Sequence, residues 1–144
     1  MFDRARHVHT ETIPIRWGDM DAMGHVNNTV YFQYMEQARI GFFATAGLGD
    51  GSGGAPGTGP VVVTTTCNFR RAIVYPGTVE IRVYITALGR SSVTFGYEMR
   101  PSYDSGSVYA DGTSKGVWID IARQKSIPLP AAVRSLGEGA ASNN

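Results

Sequence analysis

The chain has 144 residues, 42% of them hydrophobic and 17% charged, with a formal net charge of +1. That length fits one domain with a real core, and the balance excludes a disordered or fibrous chain. Near-neutrality leaves no global field to draw nucleic acid or an anionic membrane surface.

Cys67 is the one cysteine, so no intramolecular disulfide can form, which suits a reducing compartment. The opening Met1-Phe2-Asp3-Arg4-Ala5-Arg6-His7 has no apolar signal core. No run approaches the roughly 20 apolar residues of a membrane helix. A cytoplasmic protein without membrane contact is the expectation.

In chain order, β-branched Thr10, Thr12, Ile13 and Ile15 predict a strand over about Val8 to Trp17, with Pro14 marking an edge. A loop with Asp19, Asp21, Gly24 and His25 follows. Asn27 or Asn28 then caps a helix, whose stripe of Val30, Tyr31, Tyr34, Met35, Ala38, Phe42, Phe43 and Ala46 recurs at steps of three and four. Gly47 is its stop.

The Gly-rich stretch 48–60 lacks the Gly-Lys-Ser/Thr of a phosphate loop, and no strand precedes it. It reads as a flexible connector. Four strands follow: Val61 to Phe69, Val79 to Leu88, Ser92 to Arg100 and Val108 to Ala122. The second and third are joined by a tight hairpin at Gly89-Arg90-Ser91. The segment from Ser126 contains Pro128 and Pro130, and the tail from about 136 to 144 is expected to fray. One amphipathic helix and five strands predict a single α+β domain over 1–144, a long central helix wrapped by a five-stranded antiparallel sheet. Its open edges predict a homodimer or homotetramer.

The chemistry concentrates between Arg16 and Arg39. An acid-rich loop running into a helix N-terminus sets a base or nucleophile beside oriented backbone N–H donors, a pairing suited to attack on a carbonyl. Asp19 and Asp21 each suit either a loop-shaping role or that of the reactive carboxylate. His25 suits loop ordering, carboxylate orientation or base catalysis. A metal would need about three or four ligands, and no His/Cys spacing motif supplies them. Cys67 reads as a buried, inert thiol. No Gly-x-Ser-x-Gly elbow marks a serine hydrolase. Glu36 suits facing solvent, pairing with Arg39 or Arg16, or serving as an active-site carboxylate on the helix. Arg70, Arg71 and Arg90 are the cations best suited to a phosphorylated ligand.

Asp19-x-Asp21-x-x-Gly24-His25-Val26-Asn27-Asn28-x-x-Tyr31, followed by Tyr34-x-Glu36-x-Ala38-Arg39, resembles the 4-hydroxybenzoyl-CoA thioesterase family of hotdog-fold acyl-CoA thioesterases. The resemblance implies that Asp21 is the catalytic carboxylate, acting as nucleophile or general base. It also implies that the backbone N–H of Asn28 polarises the thioester carbonyl. His25 joins them as a candidate catalytic residue and Arg90 as a candidate for the CoA phosphates. Acyl-CoA is the implied substrate, with acyl-carrier protein as a second form of it. Coenzyme A enters as part of the substrate, so no separate cofactor and no metal are expected.

Two departures narrow this. Plant acyl-carrier-protein thioesterases carry an additional Asn where this chain has Met23. Hotdog hydratases carry an Asp-x-Asn-Pro-x-His pattern that neither Asp19 nor Asp21 reproduces. The competing readings are a non-catalytic acyl-CoA-binding regulatory module and an enoyl-CoA hydratase or dehydratase.

Overall fold

The computed structural model describes residues 5–53 and 55–142. Its main elements are β1 (Arg6–Pro14), α1 (Asn28–Thr45), β2 (Thr58–Phe69), β3 (Thr78–Leu88), β4 (Ser92–Pro101) and β5 (Ala110–Asp120). These strands form an antiparallel sheet in the order β1-β3-β4-β5-β2. The sheet curls around α1, the hotdog arrangement implied by the resemblance.

Strict alternation builds the core. Val79, Ile81, Val83 and Ile85 of β3 are all fully buried, as are Val93, Tyr97 and Met99 of β4, with Phe95 at 1% exposure. In register, Ile81 opposes Met99, Val83 opposes Tyr97 and Ile85 opposes Phe95, so apolar side chains meet on one face. Met35, Ala38 and Phe42 of α1 close over that face with no exposed surface. Phe42 meets Phe95 edge-on at 5.6 Å between ring centroids.

The helix packs mainly over the β1–β3 side. At the other margin of the sheet, the side chains of β2 from Val61 to Thr66 are exposed, and a bulge between Val62 and Thr64 breaks its pairing with β5. A groove therefore runs between α1 and β2.

Several boundaries differ from expectation. β2 begins at Thr58, inside the stretch read as a connector to residue 60. That connector is pinned by buried Leu48 and by the Trp118 indole N–H, which donates to the Gly51 carbonyl at 3.0 Å. The C-terminal segment holds a short β6 (Lys125–Ser126), α2 (Ala131–Leu136) and a β7 pair (Ala141–Ser142). β7 runs parallel to β3 opposite Ala87 and Leu88, where fraying was expected from about 136. Burial of Val133 and the 2.6 Å bond from Arg134 Nη2 to the Gly89 carbonyl tie α2 to the β3–β4 hairpin. Asn143 and Asn144 lie outside the described residues. Among the described residues no helix is long and apolar enough to cross a membrane.

Candidate active site

The loop ahead of α1 is built on Asp19. Its side chain is 2% exposed and accepts from the Arg16 backbone N–H at 3.0 Å, Arg16 Nε at 3.1 Å and Nη2 at 3.0 Å, and Tyr34 Oη at 2.9 Å. Burial alone would raise its pKa. The Arg16 N–H, the Tyr34 hydroxyl and the Arg16 guanidinium outweigh burial, so the carboxyl is held below its ordinary value. Burial first, then the hydrogen bond to the Asp19 carboxylate and its negative charge, push the Tyr34 phenol up. Both Asp19 oxygens are consumed in structure, and its backbone carbonyl also accepts the Asn27 N–H at 2.9 Å.

Asp21 differs. Its Oδ1 accepts from the backbone N–H groups of Met23 at 2.8 Å and His25 at 3.3 Å, while its own N–H donates to the His25 carbonyl at 2.8 Å. Gly24, at φ 78°, makes this tight reversal possible. Among the described residues Oδ2 has no hydrogen-bond partner. The carboxylate is thus oriented through one oxygen and open through the other.

Helix α1 begins where this loop ends. Asn27 is the N-cap, its side chain accepting from the Thr29 N–H at 3.0 Å, and its carbonyl accepts the Val30 N–H at 2.9 Å. Among the described residues the Asn28 N–H has no acceptor. It is the spare donor of a helix N-terminus. The loop is anchored to the sheet side by Val26, whose N–H donates to the Ile73 carbonyl at 2.8 Å.

Asp21, His25, Asn28, Tyr31, Phe69, Arg70 and Arg71 line one open cavity of about 280 Å³. The Tyr31 phenol accepts the Ile73 N–H at 3.2 Å, and burial raises its pKa above the ordinary range. Phe69 stands edge-on to it at 4.9 Å. Arg70 is paired with the buried carboxylate of Asp111. Arg71 lies 3.6 Å from Asp104 and over the Tyr109 ring at 4.9 Å from its centroid. A free carboxylate oxygen, a free helix-end N–H, an aromatic wall and two cations thus share one opening.

The candidates Arg90 and Glu36 lie elsewhere. Arg90 sits in the β3–β4 hairpin, at the opposite end of β3 from the turn beside the cavity, about 30 Å away at roughly 3.3 Å per residue. It does not line the cavity, whereas Arg70 and Arg71 do. Glu36 is exposed two turns along α1 and pairs with neither Arg16 nor Arg39: Arg16 is taken by Asp19, and Arg39 by two hydroxyls. His25 lines the cavity, but its bonds to Asp21 run through the backbone, and its ring has no hydrogen-bond partner among the described residues. Burial, then Asp111, pushes the Cys67 thiol up to about 11. Among the described residues no group of three or more His, Cys, Asp or Glu side chains is placed to hold a metal. The Arg16–Asp19–Tyr34 lock is the feature that sequence reasoning missed. Its only signal is a buried-face tyrosine at a polar-tipped residue type, which reads equally well as core.

Comparison with known proteins follows the same lines. The model of the thioesterase-like superfamily matches residues 15–136. A solved Pseudomonas aeruginosa protein, assigned by inference as a thioesterase, is 38% identical with a TM-score of 0.84, over 90% of this chain and 98% of that one. A solved gentisyl-coenzyme A thioesterase is 26% identical with a TM-score of 0.78, over 89% of this chain and 98% of that one. Among curated proteins, an uncharacterized Bacillus subtilis protein is 29% identical over 59% of this chain. The chain spans between half and two thirds of the length of the curated relatives it matches, 56% for that one. With the helix-end site and the wrapped sheet in place, the match over residues 15–136 makes the chain a member of the thioesterase-like superfamily.

Proposed function

We propose that the protein is an acyl-CoA thioesterase, hydrolysing the thioester to free acid and coenzyme A. Family membership and neighbours named as thioesterases support thioester hydrolysis as the reaction class. The observation that carries the site assignment is the joint placement of Asp21 Oδ2 and the Asn28 N–H in one cavity, both without partners among the described residues.

In this reading the thioester oxygen accepts from the Asn28 N–H, and the helix end stabilises the oxyanion as the carbonyl becomes tetrahedral. Asp21 either attacks the carbonyl carbon, giving a mixed anhydride that water then cleaves, or takes a proton from the attacking water. Coenzyme A departs as a thiolate, needing little acid assistance because thiol pKa values lie near 8.5. Arg70 and Arg71, rather than Arg90, are the cations beside this opening, and they suit the nucleotide phosphates. Acyl-carrier protein is the second form of thioester that this opening suits. The uncovered edge of β2 suits strand pairing with a second copy, so a homodimer is the proposed assembly.

The test is thiol release from a panel of short, long and aromatic acyl-CoAs by wild-type protein and Asp21→Asn. Asn keeps an Oδ1 acceptor for the Met23 and His25 N–H groups, so the loop is retained while the charge is lost. The reading expects hydrolysis by wild type and a loss of about 10²–10⁴-fold in the variant. Equal rates in the two proteins would refute the role of Asp21.

A further inference from the structure

Tyr31 lines the same opening as Asp21 and Asn28, yet hydrolysis by Asp21 and the Asn28 N–H makes no use of its phenol. The residue is 3% exposed. A phenol has one hydrogen to donate and lone pairs to accept with. Tyr31 Oη accepts the Ile73 N–H at 3.2 Å. Among the described residues its own hydrogen has no acceptor. A buried donor of this kind is costly unless something entering the cavity supplies the acceptor.

The phenol is fixed from two sides. Tyr31 stands one turn along α1 from Asn28, on the same helix face, and helical side chains lean back toward the N-terminus. At its far end the hydroxyl meets Ile73, whose N–H reaches Tyr31 and whose carbonyl accepts the Val26 N–H at 2.8 Å. One residue thus holds both the phenol and the loop of Asp21. Burial raises the phenol's pKa, the Ile73 bond offsets part of that rise, and the Asp21 charge adds to it. The hydroxyl therefore keeps its proton at neutral pH and donates.

The polar groups around the opening divide by role. Asp21 Oδ2 accepts, whereas the Asn28 N–H and the Tyr31 O–H donate, both from the first turn of α1. The remaining polar groups are His25 on the loop and Arg70 and Arg71 after β2, the two arginines already facing Asp111 and Asp104. An attacking water gives its proton to Asp21 and needs its lone pair free, so a phenol donating to that lone pair would slow it. A thioester oxygen makes the opposite demand. It gains negative charge as the carbon is attacked, and each donor already aimed at it stabilises that charge.

We infer that the Tyr31 hydroxyl is the second donor to the thioester oxygen, beside the Asn28 N–H, an inference resting on the thioesterase reading above. As Asp21 or its water adds to the carbonyl carbon, the C=O electron pair moves onto oxygen and both donors tighten on it. The pair returns as the thiolate leaves, and the phenol hydrogen stays on Tyr31 throughout.

The experiment reads the carbonyl directly. Hexanoyl-CoA and benzoyl-CoA, isotopically labelled at the thioester carbon, are bound to Asp21→Asn protein, and infrared difference spectra give the C=O stretch. The same spectra are taken with Tyr31→Phe added, and with an ortho-fluorotyrosine in place of Tyr31. Fluorine makes the phenol a stronger donor and keeps its oxygen for the Ile73 N–H, so this variant holds the fold even where Tyr31→Phe loses it. Thermal melts verify folding. The inference expects the stretch to rise toward its free-solution frequency in Tyr31→Phe and to fall below the parent value with fluorotyrosine. With Asp21 intact, Tyr31→Phe should lower kcat by about 10²–10³-fold with KM little changed. A stretch equal to the parent's in the folded variants, with only the melting temperature lowered in Tyr31→Phe, would reduce the hydroxyl to an anchor for Ile73 and overturn the inference. Where Tyr31→Phe does not fold, the fluorotyrosine stretch decides alone. Bound thioester that wild type does not cleave would refute the hydrolase reading by itself, while the stretch still decides the role of Tyr31. If neither thioester binds, both fail.

Discussion

Tyr34, on the second turn of α1, donates a 2.9 Å hydrogen bond to the buried carboxylate of Asp19, fifteen residues earlier in the chain. This contact ties the loop that holds Asp21 to the helix whose N-terminus supplies the Asn28 N–H. Tyr34→Phe removes the donor and keeps the ring. A hydrogen bond to a charged group contributes about 1.5–3 kcal/mol, so urea denaturation should show a loss on that scale.

The same carboxylate predicts an acid-side signature. The folded-state pKa of Asp19 is held below the ordinary value of 3.8, so the unfolded chain takes up its proton first as pH falls. The stabilisation is fully present above that ordinary value and is lost as pH drops through the folded one. Denaturation midpoints of wild type and Asp19→Asn should therefore converge below about pH 4 and diverge above it. A constant difference across that range would remove Asp19 as the source.

The Asn28 donor is backbone, which makes an unusual substitution informative. Asn28 is the first residue of α1, and Asn27 before it is extended, with ψ at 140°. Proline is tolerated at this helix position and favours an extended predecessor. Asn28→Pro should thus fold while deleting the N–H, lowering kcat by about 10²–10³-fold. Asn28→Ala keeps the N–H and should stay close to wild type. Steady-state thiol release separates the two, and equal rates would exclude the backbone donor.

Gly112 of β5 sits tightly between β2 and helix α1. A Cβ there would stand 2.5 Å from the Thr66 carbonyl oxygen and 2.8 Å from Met35 Sδ. Backbone on one side and a fully buried side chain on the other leave little room, so Gly112→Ala should cost about 1–3 kcal/mol. Gly116, four residues along the same strand, meets nothing nearer than 3.8 Å. Gly116→Ala should be neutral or stabilising by about 0.4–1 kcal/mol, and paired chemical denaturation tests the contrast.

Cys67 should be chemically quiet. With its thiol pushed up to about 11, about one molecule in a thousand carries the thiolate at pH 8. Iodoacetamide should label it far more slowly than glutathione, and Cys67→Ser should retain hydrolysis. Fast labelling would contradict the burial argument.

Much of this architecture is legible in the sequence because it is written in local patterns. The alternation of Val79, Ile81, Val83 and Ile85 announces β3, and Asn27 announces the start of α1 by the chemistry of its side chain. The candidate site residues Asp21 and Asn28 come from one contiguous stretch, so no tertiary information is needed to place them together. What escaped is non-local. Periodicity tells which face of α1 is apolar, and is silent on which face the buried phenol of Tyr34 meets a carboxylate. It likewise gives Arg90 a hairpin, and only the pairing of β3 with β4 shows that this hairpin lies at the far end of the sheet. Helix α2 is too short for a periodic signal between its prolines, and tertiary contacts of Val133 and Arg134 hold it.

Strand β2, Thr58–Phe69, contains no charged residue along its 12 positions, and Val61, Val62 and Val63 are 40%, 45% and 55% exposed. A β-branched, charge-free margin of this kind carries none of the lysines or prolines that normally keep sheet edges apart, except Pro60 near its start. It is the segment through which molecules of this chain would adhere indiscriminately if left bare. Solubility and shelf life should therefore depend on what occupies this margin, and a lysine placed at Val63 would expose that dependence as a change in colloidal behaviour before any change in fold.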